Sequence, residues 1–172
     1  MKKILFLLAM SFMLGACVPS EDNKTKVDET PTVFKFSDLN HFMNFHTIMT
    51  DQKISSKIMS KVDTVNQYSF GLVSQIRQLY HGKASGVSVK TKYYFPKLGD
   101  ASVVCTISRK DSVLYWEAMQ LNSKNALKKW AEVEKIFDFK KTYSGEETLS
   151  VYVWSPKGNT MYIEELAVKP TE

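Results

Sequence analysis

The chain has 172 residues, 44% of them hydrophobic and 24% charged, with 23 Lys and Arg against 18 Asp and Glu for a net charge of +5. That length fits one domain with a packed core. So small an excess, without a run of basic residues, gives no electrostatic footprint for nucleic acid. The two cysteines, Cys17 and Cys105, are too few for a disulfide scaffold or a thiolate zinc site.

Met1-Lys2-Lys3 opens the chain, an apolar run from Ile4 to Leu14 follows, and then come Gly15, Ala16 and Cys17. A charged start, a short apolar core and small residues at the cut describe a secretory signal over residues 1–16, too short to span a bilayer. Leu14-Gly15-Ala16-Cys17 resembles the lipobox of bacterial lipoproteins at all four positions. The resemblance implies that the Cys17 thiol takes a diacylglycerol, that the chain is cut before it, and that the new amino end is acylated. Two or more acyl chains hold a protein stably on a membrane, each buried CH2 contributing about 0.8 kcal/mol. Membrane lipid, through Cys17, is therefore the first expected partner. Val18 stands where an aspartate would resemble an inner-membrane retention signal. The expected address is the bacterial cell envelope, on the outer membrane of a Gram-negative host, and nothing in the segment selects a leaflet.

Cleavage there leaves 156 residues with 21 Lys and Arg against 18 Asp and Glu, a net of +3. Cys105 is then the lone thiol, which excludes an intramolecular disulfide, and its alternating apolar surroundings read as those of a small buried hydrophobe. Residues 17–32 comprise the lipidated cysteine and then, over 18–32, a polar and charged stretch with little to bury. They read as a flexible tether, with the folded domain at residues 33–172.

Within that domain the dominant period is two. Val87, Val89, Thr91, Tyr93 and Phe95 alternate with Ser88, Lys90, Lys92 and Tyr94, giving one dry and one wet strand face. Pro96 to Asp100 is a turn. Val103, Cys105 and Ile107 define a second strand, Arg109 to Ser112 a hairpin loop, and Val113 to Leu121 the returning strand. A polar loop over Asn122 to Lys129 leads into Trp130 to Phe139, with Val133, Phe137 and Phe139 directed inward and Trp130 expected inside. Leu149, Val151 and Val153 alternate after a turn at Gly145. Ser155 to Asn159 turns again, and Met161 to Val168 closes the domain. Earlier in the chain, Ser37 with Leu39, Phe42, Met43 and Phe45 predicts a helix start. Lys57 to Val62 reads as a strand, and Leu72 to Leu79 as a strand or as a helix lined by Leu72, Ile76, Leu79 and Tyr80. Many short strands with turn residues between them predict an all-β antiparallel β-sandwich, a single domain of jelly-roll type.

Trp116 to Leu121, Trp130-x-x-Val133 ahead of Phe137, Val151-Tyr152-Val153-Trp154-Ser155-Pro156, and Tyr162-Ile163-Glu164-Glu165-Leu166-x-Val168 follow one another in compact order. That order resembles the galactose-binding-like jelly rolls found as carbohydrate-binding modules, especially in Bacteroidetes lipoproteins, over about residues 53–168. Gln67-Tyr68-Ser69 is similar to an early element of the same domains. The resemblance implies a jelly roll and a polysaccharide partner. It also implies a structural calcium held by an acidic residue of the final strand and one near the domain start, here Glu164 and Asp38. Calcium needs six to eight oxygens, and Glu164-Glu165 stands where aspartate is usual. The calcium is thus an expectation of the resemblance alone, and no other cofactor is expected.

A sugar-binding face needs flat rings to stack on a pyranose and polar groups for its hydroxyls. The strand phases make Trp116, Tyr94 and Trp154 the candidate rings, with Lys92 on the face of Tyr94 and Gln120 on that of Trp116. His41-x4-His46 has the wrong spacing for a chelate on either a strand or a helix. The sequence contains no G-x-S-x-G, phosphate loop or H-E-x-x-H. The carboxylates Asp111, Glu117, Asp138 and Glu147 show no pairing that would serve a glycosidase. A non-catalytic glycan-binding lipoprotein is the first expectation. An envelope lipoprotein of the same fold binding a protein partner is the second, and a small hydrolase the third.

Overall fold

A computed structural model describes residues 42–80, 84–143 and 145–171. The signal segment, Cys17, the tether, Asp38 and His41 lie outside the described residues. Within them ten strands form two five-stranded sheets whose named pairs are all antiparallel. In the first, β1 (Phe42–Met43), β4 (Gly71–Gln75), β9 (Thr148–Trp154), β6 (Ser102–Arg109) and β7 (Ser112–Gln120) lie in that order. The second runs β2 (Ile48–Asp51), β3 (Ser55–Val62), β10 (Met161–Thr171), β5 (Ala84–Tyr94) and β8 (Trp130–Tyr143).

Alternation decides which face each strand buries. Val87, Val89, Thr91 and Tyr93 on β5 are buried, as are Val103, Cys105 and Ile107 on β6 and Leu149, Val151 and Val153 on β9. Those side chains meet Phe137, Ile163, Leu166 and Val168 in one core between the sheets. Each large apolar side chain so enclosed contributes about 1.5–3 kcal/mol of transfer free energy. Ala126 is buried as well, although it sits in the polar 122–129 loop.

The chain between Phe42 and Thr47 departs from the helix expected there. Phe42–Met43 pairs with β4, Asn44 adopts a left-handed conformation (φ 60°), and a single 3-10 turn spans Phe45–Thr47. Phe42 stacks on Phe70 at 4.6 Å, so a tertiary aromatic contact, which local spacing cannot encode, overrides helix propensity. The segment from Leu72 divides: β4 ends at Gln75, and a single turn, α1 (Ile76–Leu79), takes over. Trp130 is the third departure. It pairs with Tyr94 on the outer face of the second sheet, half-buried, with its indole N–H donating to the Ile54 carbonyl at 3.3 Å. Ala131, not Trp130, has the inward phase, because it pairs with buried Tyr93.

Candidate functional site

The registers of the first sheet lay out its outer face row by row. Tyr68, Trp154, Ser102 and Gln120 form one row across neighbouring strands. Tyr152, Val104 and Ala118 form the next, and Val73, Ser150, Thr106 and Trp116 the third. Thr148 joins Gln75 to Ser108 in the fourth. No Asp, Glu, Lys or Arg occupies these positions, in a chain that is 24% charged. The opposite sheet shows the contrast: outward Lys90 pairs with Glu132 at 3.0 Å, and Ser88 hydrogen-bonds Glu134.

Four aromatic rings stand on this uncharged face. Tyr68 and Trp154 are stacked, their planes 9° from parallel and their centroids 6.5 Å apart, and Tyr152 meets Tyr68 edge-on at 5.6 Å. Trp116 stands at the β7 edge, 56% exposed, and Tyr68 is 47% exposed. The Trp154 indole nitrogen is buried without an acceptor among the described residues, so stacking rather than a hydrogen bond fixes that ring. Cross-strand aromatic pairs stabilise a sheet, and here they leave the Trp116 and Tyr68 rings open to solvent. By strand spacing, Trp116 and Trp154 lie on the order of 15 Å apart on a diagonal, longer than one sugar ring. Ser102, Thr106, Ser150 and Gln120 supply hydroxyl and amide groups between them.

Backbone geometry makes room for Tyr152. A Cβ on Gly71 would lie 2.5 Å from the Val151 carbonyl oxygen and 2.7 Å from Tyr152 Cβ. Only glycine lets β4 approach β9 this closely. Tyr68 is held by its neighbours: Ser69 N–H donates to Val153 O at 2.9 Å, and Ser155 N–H donates to Gln67 O at 3.0 Å.

Of the residues singled out from sequence, Trp116, Trp154 and Gln120 come together on this face. Tyr94 and Lys92 do not join them. They lie on the outer face of the other sheet, where Tyr94 packs against Trp130 (5.5 Å) and Tyr162 (6.1 Å), and Lys92 sits over the Trp130 ring. Tyr68 and Tyr152 complete the platform. The phase that made Val151 and Val153 inward also makes Tyr152 outward, so its placement had a signal. Tyr68 precedes β4 in an isolated bridge, where no period exists to read.

Glu164 sits at a bulge in β10 opposite Lys92. Its side chain is 5% exposed, with Lys92 Nζ at 2.5 Å, Lys57 Nζ at 3.8 Å and a hydrogen bond from Ser55 Oγ. Burial works against its charge, but the Lys92 and Ser55 hydrogen bonds and the two lysine charges outweigh it and hold the carboxyl below the usual range. Two ammonium groups where calcium would need oxygens do not fit that cation. Among the described residues no three metal-ligating side chains converge. Glu117 is committed to Lys135 and to the Tyr115 hydroxyl, and buried Glu147 to Arg109. Asp111 and Asp138 are exposed.

The architecture is that of a jelly-roll sandwich with an aromatic platform on one sheet. The chain is similar to a solved xylan-binding module, CBM15, at a TM-score of 0.52 and 11% identity over 83% of this chain and 98% of that one. It is similar to the CBM22-1 xylan-binding domain from Paenibacillus barcinonensis Xyn10C at 0.50 and 12% identity, covering 84% and 96%. It also matches the arabinose-bound MgGH51 α-L-arabinofuranosidase at 0.50 and 12% identity, there spanning only 24% of the longer chain. At these identities the likeness is one of fold. No protein-family model matches the chain, and no curated protein matches its sequence.

Proposed function

We propose that this chain is a non-catalytic, membrane-anchored lipoprotein that captures polysaccharide on the outer face of its first sheet. One observation carries the reading: Tyr68, Tyr152, Trp154 and Trp116 share a single face whose described strand positions place hydroxyl and amide side chains between the rings and no charged side chain. Rings stack on the apolar faces of pyranoses, and the uncharged groups exchange hydrogen bonds with sugar hydroxyls. The likeness in fold to two xylan-binding modules supports the same class of ligand. Cys17 supplies the anchor, residues 18–32 the reach, and the cell envelope, on the outer membrane, is the address.

The test is a glycan array with the full chain purified in mild detergent, run beside Trp116→Ala. Binding to a defined glycan class that the variant loses supports capture and locates the platform. A blank array from folded protein refutes it. Fatty-acid labelling in cells, lost in Cys17→Ser, tests the anchor separately.

A further inference from the structure

Beside Tyr68, at the end of the platform, lies a pocket of about 320 Å3 lined by Asn44, His46, Thr64, Asn66, Gln67 and Tyr68 itself, with Val65 at its rim. That volume stands at the lower end of ligand sites and equals roughly ten waters at liquid density. Its walls are held in place. The Asn44 amide donates to Ser69 O at 2.9 Å, which leaves its own carbonyl oxygen to accept. Asp63 Oδ1 accepts the backbone N–H of Val65 and of Asn66, each at 2.9 Å. Gly158 presses on Thr64, where a Cβ would fall 2.6 Å from Thr64 Cα. The side-chain amides of Asn66 and Gln67 and the His46 imidazole form no bond to another described residue, so donors and acceptors stand ready in a fixed frame.

Resting on the glycan reading above, we propose that this pocket is a single-sugar subsite continuous with the platform, taking one uncharged unit of the captured chain as a branch or as its end. Continuity follows from Tyr68, whose ring belongs to both the platform and the pocket wall. The class of sugar follows from charge. Every polar side chain that the described residues place in the wall is an amide, a hydroxyl or an imidazole. The carboxylate next to the wall in sequence, Asp63, is already taken by Lys61 at 2.8 Å and by two backbone donors. Among the described residues the wall has neither a lysine or arginine to pair a uronate nor a free carboxylate to pair an amino sugar.

The test is calorimetry with the full chain in mild detergent against three probes: linear xylohexaose, a xylo-oligosaccharide with single arabinose branches, and one with glucuronic acid branches. Wild type is compared with Asn66→Ala, Gln67→Ala and Trp116→Ala, each first shown to melt within a few degrees of wild type. For a branch subsite, the arabinose-branched probe binds about tenfold more tightly than the linear one, and Asn66→Ala or Gln67→Ala erases that difference. For a chain-end subsite, the same variants weaken both neutral probes alike. Pocket variants that change nothing, while Trp116→Ala abolishes binding, overturn the subsite and leave the platform standing. Preference for the glucuronic acid probe overturns the neutral-sugar assignment alone. Where the array selects a backbone other than xylan, the corresponding linear and branched probes take their place, and binding of none of those overturns the subsite, whereas a blank array overturns the platform reading.

Discussion

Tyr68 and Trp154 are stacked 9° from parallel, their centroids 6.5 Å apart, on a sheet face whose described strand positions carry no charged side chain. One residue comes from the β3–β4 connection and the other from the end of β9, and they are joined through an antiparallel bridge. The stacked pair forms one end of the platform, and Trp116, 56% exposed, stands at the other.

Removing Trp116 therefore separates binding from folding. Its side chain is 56% exposed, so Trp116→Ala is expected to change stability by no more than about 0.5 kcal/mol while weakening glycan binding tenfold or more. Trp154→Ala is expected to lose binding and also some stability, because that ring is partly buried. Melting curves beside calorimetry separate the two cases; equal affinity in wild type and Trp116→Ala would place the ligand elsewhere.

Gly71 links the fold to the platform. Gly71→Ala forces a methyl group against the Val151 carbonyl and Tyr152 Cβ. The expected cost is about 1–3 kcal/mol from overpacking, together with weakened binding as Tyr152 shifts. A variant as stable as wild type would mean that the two strands separate more readily than their close approach suggests.

The buried carboxylate at Glu164 predicts how the fold responds to acid. Glu164, Glu147 and Glu117 are each held below the ordinary glutamate value of 4.5. Because the folded state favours their charged forms, the unfolded chain takes up protons first as pH falls. Their contribution is full above pH 4.5 and is lost as pH drops below that value through the folded-state values. Melting temperature measured from pH 7 to pH 3 should fall across that window. Glu164→Gln should start lower at pH 7 and lose less on acidification. Lys92→Met, which removes the nearest counter-charge, is expected to cost on the order of 2 kcal/mol.

The same lysines bear on calcium. With Lys92 and Lys57 facing Glu164, we expect the melting temperature of the full chain to be the same in calcium and in chelator. A rise of several degrees with calcium would point to a set of oxygens other than this one.

Cys105 is completely buried, and that burial pushes its thiol well up. Reaction with a thiol reagent is expected to be slow in native protein and fast in denaturant, tracking opening of the core. Rapid native labelling would contradict the packing of β6 against the core.

Period two was enough to place β5 through β10 and to assign Val87, Val103, Val151 and their neighbours to the core, because strand side chains alternate strictly and burial follows apolarity. The same signal put Trp116, Gln120 and Trp154 on outward phases. Sequence could not say which outward residues share a sheet. Tyr94 and Lys92 have the same phase as Trp116 within their strands, yet they face away from it across the sandwich, since strand order is set by long-range pairing that no local period encodes. Trp130 shows the limit within one strand: a large aromatic reads as core, but the register with Tyr94 puts it outside. The platform itself and the pocket beside Tyr68 belong wholly to tertiary structure. They exist because β4, β9, β6 and β7 lie side by side and two loops distant in sequence close against one another.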